Sequence, residues 1–413
     1  MLTRRRFLGS AAALTLPYLS AAEPLKKKLA VVTNVWTYRS HAWHMAERFL
    51  HGYPVKGKWH HPPFEVVAAY VDQKPEGDLS AARAKEFGFT IYPSVEDAIR
   101  CGGKSLAVDA VLVIGEHGNY PKNEFGQIQY PRYQYFKKIA DVYKADERTA
   151  PIFNDKHLSW KFAWAKEMVD TAREMKFGLC AGSSLPVTWR MPAIDLPFGA
   201  EVEEAMCVAF GGLDVYDFHA LETIQCMVER RKGGETGVAS VQAFRGDALW
   251  TALHRGDFGT GLFEACLARS QTLAQAPTLS HRYPTREQMK EWTKDPVAYR
   301  IEYTDGLKTT MLLLNGLVQD FTFAAKLTGE REPLSTLFHL PPNPNVTYSA
   351  ELMDKAEGTF LTGKSPTPIE RTLLTSGLTE AGLQSLAGGG KKLATPHLAV
   401  KYQVGKDSTF ARE

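Results

Sequence analysis

The chain predicts an α/β protein in two parts, an N-terminal doubly wound parallel sheet followed by an α+β domain with an open antiparallel sheet. Three observations carry this. Between residues 27 and 182, continuous Val/Ile/Leu runs alternate with helix-period segments, the pattern of strands buried on both faces. Past Pro186 the alternation stops. Asp305-Gly306 then joins two β-rich runs, a strong hairpin signal.

In chain order, residues 29–32 form a strand and 42–50 a helix closed by His51-Gly-Tyr-Pro54. A second strand covers 64–72, with residues 57–63 before it as an insertion, and a helix runs from 79 to Phe87, stopped at Gly88. A short helix at 95–100 precedes a buried strand at 108–115, and a helix at 132–144 precedes a strand at 151–155. The long helix at 160–176 and the strand at 177–182 complete a Rossmann-like half. Further on, 202–210 and 238–244 read as strands around a helix at 215–230, and 298–304, 308–314 and 317–327 as an antiparallel set. Residues 331–413 form a Pro/Gly-rich extension with one helix near 350–357 and a closing strand at 398–402. The domains are therefore 27–158, dinucleotide-binding in type, and 159–330, whose first helix and strand pack back on the parallel sheet.

Residues 1–22 are of another kind. Thr3-Arg-Arg-Arg-Phe-Leu8, a short mildly apolar run and the small residues Ser20-Ala-Ala22 read as a twin-arginine signal peptide, so export to the periplasm or outside is expected. That route carries folded proteins, which suits a tightly bound cofactor. The segment holds three arginines and no acid, so its removal takes the formal charge of the 413-residue chain from +3 to zero. Such a balance favours neither nucleic acid nor an anionic membrane. No later stretch approaches the roughly 20 apolar residues of a membrane span. The five cysteines are scattered without CxxC spacing and read as buried small hydrophobes.

Ligands of an open parallel sheet bind beyond the carboxyl ends of its strands. At the first end, the loop from Thr33 to Ser40 contains no glycine. Thr33, Asn34, Arg39 and Ser40 could supply donors to a pyrophosphate, or Ser40 could simply cap the next helix. Asp72 ends the second strand, where an acid can accept from a ribose, and Gly115 and His117 lie in the loop after the third buried strand, a candidate cofactor wall. Lys156 leaves the strand at 151–155 where a lysine can hold a substrate hydroxyl, although a surface lysine is common there. His219 and Glu222 share a helix face with Asp217 just before them, a base with carboxylate neighbours or a satisfied half-buried histidine. His41 and His44 are three apart, yet no HExxH pattern or cysteine joins them, and no metal site is expected. Trp36, Trp43 and Trp189 offer flat apolar faces suited to sugars, or core.

With these residues in place, the chain resembles the glucose-fructose oxidoreductase and inositol dehydrogenase (Gfo/Idh/MocA) family over roughly residues 27–330. The likeness rests on Tyr92-Pro-Ser-Val-Glu-Asp-Ala98, Val108-Asp-Ala-Val-Leu-Val-Ile114, Asp155-Lys156 before a long helix, and Lys176-Phe-Gly-Leu179. Lys156 matches the lysine of the family's Glu-Lys-Pro motif, with Asp155 and His157 replacing its neighbours. His219 and Glu222 match the histidine and following acid of its Asp-x-x-x-His-x-x-Asp pattern, whose first acid falls on Val215 beside Asp214 and Asp217. The family's Gly-x-Gly-x-x-Gly is missing.

The resemblance implies NAD or NADP, tightly bound, and hydride transfer from a sugar or polyol. Lys156 would position the reacting oxygen, His219 would be the base, and Glu222 or Asp217 would orient it. Two other functions remain open: a glycosidase or lyase on the same fold using NAD transiently, and a non-catalytic carbohydrate-binding relative without the cofactor. An open antiparallel sheet commonly packs against a copy of itself, so a homo-oligomer is expected; the export machinery is the other expected partner.

Overall fold

The computed structural model describes residues 25–276 and 283–412; the expected signal at 1–22 lies outside them. The first sheet contains β1 (Lys27–Thr33) and, beyond a small hairpin of β2 (Tyr53–Val55) and β3 (Lys58–His60), the strands β4 (Phe64–Val71), β5 (Thr90–Ile91), β6 (Ala110–Ile114), β7 (Ile152–Asp155) and β8 (Leu179–Gly182). All its pairings are parallel. Their spatial order is β5-β4-β1-β6-β7-β8. Strand order thus reverses at β1, as in a dinucleotide-binding fold, and the switch point lies beyond Thr33 and Ile114. The second strand of the hairpin falls in the insertion expected at 57–63, and the first precedes it.

The second sheet has eight strands: β9 (Trp189–Met191), β10 (Val202–Ala209), β11 (Val238–Arg245), β12 (Lys294–Tyr303), β13 (Lys308–Asn315), β14 (Phe321–Leu327), β15 (Leu334–His339) and β16 (Leu393–Ala394). It is open, ordered β16-β11-β12-β13-β10-β14-β15-β9. Every pairing is antiparallel except β10 with β13, which run parallel with Cys207 opposite Met311. Asp305-Gly306 makes the expected turn between β12 and β13, with Gly306 at φ 92°.

Helices cover both faces of this sheet. On one side the helices Tyr216–Val228 and Ile369–Ala387 join Cys207, Val241, Tyr299 and Leu313 to the core of the first sheet. On the other, Leu249, Trp250, Leu262, Phe263 and Cys266 pack on Met206, Val208, Leu312 and Leu314. The helices on that side are Asp247–Arg255 and Thr260–Leu267.

The extension at 331–413 departs most from its sequence. It contributes two long helices, Tyr348–Thr362 and Ile369–Ala387, in place of one, and the expected strand at 398–402 is a short helical turn, Pro396–Leu398, followed by irregular chain. Ala350, Met353, Ala356 and Phe360 lie against Leu29, Val31, Leu112 and Phe153, sealing the first sheet. In the second helix, glycine permits close contact. A Cβ on Gly377 would come 2.3 Å from Leu398, and one on Gly382 would come 2.3 Å from the ring of Tyr299. The small residues that hide this helix from a periodicity reading are what let it pack.

Candidate active site

A cleft of about 330 Å³ opens beyond the carboxyl ends of β7 and β8, under the start of the helix Tyr216–Val228. Lys156, His219, Arg39 and His117 line it, together with His41, His44, Asp155, Tyr216, Phe321 and Tyr348. The structure thus brings the expected lysine and histidine to one cavity.

Lys156 follows β7 directly with a left-handed φ of 57°. This strained conformation is held by burial, since its side chain is 3% exposed and its Nζ lies 3.2 Å from Glu116 Oε1. Glu116 also pairs with Arg132, which donates to His157 Nε2 at 3.0 Å. Burial alone would raise the Glu116 carboxyl, but Lys156 and Arg132 overrule it and hold the group ionised. Gly115 belongs to this packing: a Cβ there would come 2.5 Å from Arg132 Cγ.

His219 is placed by a similar close approach. A Cβ on Gly211, at φ 105°, would come 2.1 Å from the Tyr216 ring, so glycine lets Tyr216 fold back at the helix start. Tyr216 stacks near Phe321, and His219 lies edge-on to both. Its Nδ1 is 2.6 Å from Ser183 Oγ. Burial and then the charge of Lys156 push its pKa well below the usual histidine value, so it is neutral at pH 7. In the tautomer that donates Nδ1–H to Ser183 Oγ, Nε2 is the nitrogen left to accept a proton.

The expected orienting acids act elsewhere. Glu222 accepts from Thr375 at 2.6 Å and from the Ser183 backbone at 3.4 Å, and burial raises its pKa. It reaches His219 only through Ser183. Asp217 is fully buried, accepts from Tyr299 at 3.0 Å, and is pushed up by burial to about 6. The group that orients His219 is a serine, invisible to a search for a neighbouring carboxylate.

His41 carries no acid–base signal in the sequence, where it stands three residues before His44. Its Nδ1 lies 2.6 Å from Asp155 Oδ2, and Asp155 Oδ1 is buried without a hydrogen-bond partner among the described residues. The other two histidines nearby, His44 and His117, are each held at about 4, by burial first and then by His41. Among the described residues no group of three or more His, Cys, Asp or Glu is placed to hold a metal ion.

The dinucleotide crevice is closed by the chain itself. Thr33 donates to the carbonyls of Val35 and Ile114, both at 3.1 Å. Asn34 is fully buried, donating to the His117 carbonyl and accepting from Tyr135. Backbone bonds from Asp72 to Thr33, Gln73 to Asn34 and Leu79 to Trp36 zip the loop after β4 onto the loop after β1. Across the top, Gln73 and Asn119 exchange two hydrogen bonds, and Tyr120 donates to Asp72, whose other oxygen takes Tyr70. A Cβ on Gly118 would come 3.1 Å from Gln73 Oε1, so this glycine serves the closure. Ser40 is the helix N-cap, accepting from Trp43 and Thr37. Trp36 is buried and stacked on Phe89. Of the residues expected to bind the cofactor, Arg39 and His117 line the cleft that holds Lys156 and His219. These donors do not fit an NAD or NADP laid across the switch point in the usual way.

Sequence comparison finds no matching family model and no curated relative. Structure comparison finds the same two-domain fold in several solved proteins. GenD2 from gentamicin A biosynthesis, solved with NAD, is 12% identical with a TM-score of 0.56, over 90% of this chain and 97% of that one. The myo-inositol dehydrogenase of Lactobacillus casei, solved with NAD(H) and myo-inositol, is 12% identical with a TM-score of 0.52, over 89% and 96%. A Gfo/Idh/MocA family oxidoreductase from Vibrio cholerae is 12% identical with a TM-score of 0.50, over 88% and 99%. At this identity the shared property is the fold, that of Gfo/Idh/MocA oxidoreductases.

Proposed function

We propose that the chain is a Gfo/Idh/MocA-type enzyme that performs acid–base chemistry on a sugar- or polyol-sized hydroxylated molecule. The observation that carries this is the convergence of Lys156 and His219 on one cleft, the first buried against Glu116 and the second kept neutral by burial. Lys156 binds the oxygen on which charge develops, and neutral His219 takes a proton. Tyr216, Phe321 and Tyr348 supply the apolar walls.

NAD-dependent hydride transfer is the second reading, favoured by the NAD-bound proteins that share the fold. It requires a dinucleotide to displace the loop from Gly115 to Tyr120. The closed crevice favours redox-neutral chemistry instead. The experiment is a substrate screen of sugars, polyols and their keto and acid forms, with and without NAD(P), using wild type, Lys156→Met and His219→Asn. Turnover without added or bound dinucleotide, lost in both variants, supports the first reading. Turnover only with NAD(P) supports the second.

We also propose that residues 1–22 direct twin-arginine export. Fusion of this segment to a reporter that is active only outside the cytoplasm tests it, with Arg4→Lys/Arg5→Lys as the expected loss.

A further inference from the structure

We propose that His41 and Asp155 form a second proton-transfer dyad in the cleft, and that with His219 they make it a site for eliminating water from a β-hydroxy carbonyl compound. This rests on the redox-neutral reading of the same cleft. Four histidines line the cavity, and among the described residues His41 alone of them has a carboxylate partner. Asp155 is 1% exposed and fixed at the end of β7, immediately before Lys156. A ring whose Nδ1 donates to a fixed carboxylate has one nitrogen left, Nε2, for proton exchange, as in other histidine–aspartate pairs. The other oxygen of that carboxylate, Asp155 Oδ1, is buried with no hydrogen-bond partner among the described residues.

The division of labour follows from the surroundings. His219 is kept neutral by burial and Lys156, so it is the base. His41, with Nδ1 on the Asp155 carboxylate, is the acid of the step. In the step, His219 Nε2 takes the proton from carbon beside the substrate carbonyl, whose oxygen is held by the Lys156 ammonium. The electron pair forms the carbon–carbon double bond, the bond to the β-oxygen breaks, and that oxygen leaves as water with a proton from His41 Nε2. No oxidant or reductant is needed. Aspartate at 155 is the residue that accepts from His41 here, and its conservative amide tests the link directly.

The experiment incubates the full mature chain in D2O with 3-oxo-D-glucose and with D-gluconate, following deuterium incorporation and loss of water by mass spectrometry. Wild type is expected to exchange carbon-bound hydrogen and release water from at least one probe. His41→Gln should retain exchange, since His219 is intact, and lose dehydration by about 10²–10⁴-fold. Asp155→Asn, a positioning change, should move the pH profile of dehydration while leaving that of exchange in place. His219→Asn should lose both. Dehydration by His41→Gln or His41→Asn at the wild-type rate overturns the dyad. Absence of both exchange and dehydration in wild type overturns the redox-neutral reading and the dyad with it.

Discussion

Lys156 Nζ lies 3.2 Å from Glu116 Oε1, and the second oxygen of that carboxylate is taken by Arg132. All three charges are removed from water, so the acid is what makes two buried cations tolerable. Glu116→Gln should therefore destabilise the protein by about 3–5 kcal/mol, the cost of an uncompensated buried charge. Urea unfolding at pH 7 measures it, and a loss under ~1 kcal/mol would show that the triad is not the brace described.

Asp214 gives a pH signature of opposite origin. Burial, and then Asp217, push its carboxyl up to about 8, and its Oδ2 accepts from the Ile128 backbone at 2.6 Å. A raised folded-state pKa means the native chain binds more protons than the unfolded one between about 4 and 8, so this group's contribution to stability falls as pH rises through that window. Asp214→Asn removes the titration. The variant should gain on wild type progressively from pH 5 to pH 8 in urea unfolding, and a difference that is flat across that range refutes the assignment.

Ser183 is predicted to set the ring of His219 rather than to react. Ser183→Ala should lower kcat by about 10²-fold, the scale of a misplaced catalytic group, with little change in KM. Steady-state kinetics on any substrate found by the screen checks this. An unchanged kcat would leave His219 oriented by something other than the bond at 2.6 Å.

Packing of the C-terminal extension is tested at Gly382. A methyl group there meets the Tyr299 ring at 2.3 Å, so Gly382→Ala should cost about 1–3 kcal/mol. At Gly256, φ 82° makes alanine strained for a different reason, whereas Gly261 is open and has no positive φ. Gly261→Ala serves as the control and should not destabilise. Thermal melts of the two variants compare them, and equal melting temperatures would contradict the close contact.

Much of the fold is legible in the sequence because buried parallel strands write themselves as continuous apolar runs, as at residues 110–114 and 29–32. The helix Ile369–Ala387 is hidden because its close packing calls for Gly, Ser and Thr rather than a stripe of leucines. At the site, Lys156 and His219 were legible as polar residues at a strand end and a helix start. The partners of each were not, since they depend on contacts between remote segments: Glu116 comes from one loop to Lys156, and His41 reaches Asp155 across 114 residues. The missing glycines signalled that the first loop differs. They could not say that its polar groups bond inward, because Asn34 and Asp72 meet residues 117–120 only in the folded chain.

The closed crevice is tested most directly by isothermal titration of the purified protein with NAD+, NADH, NADP+ and NADPH, after denaturing a sample to assay for dinucleotide already bound. The structure predicts no bound dinucleotide and no heat of binding for any of the four. Stoichiometric release of NAD(H) or NADP(H), or saturable binding of any of the four, would contradict it and return the protein to nicotinamide-dependent chemistry.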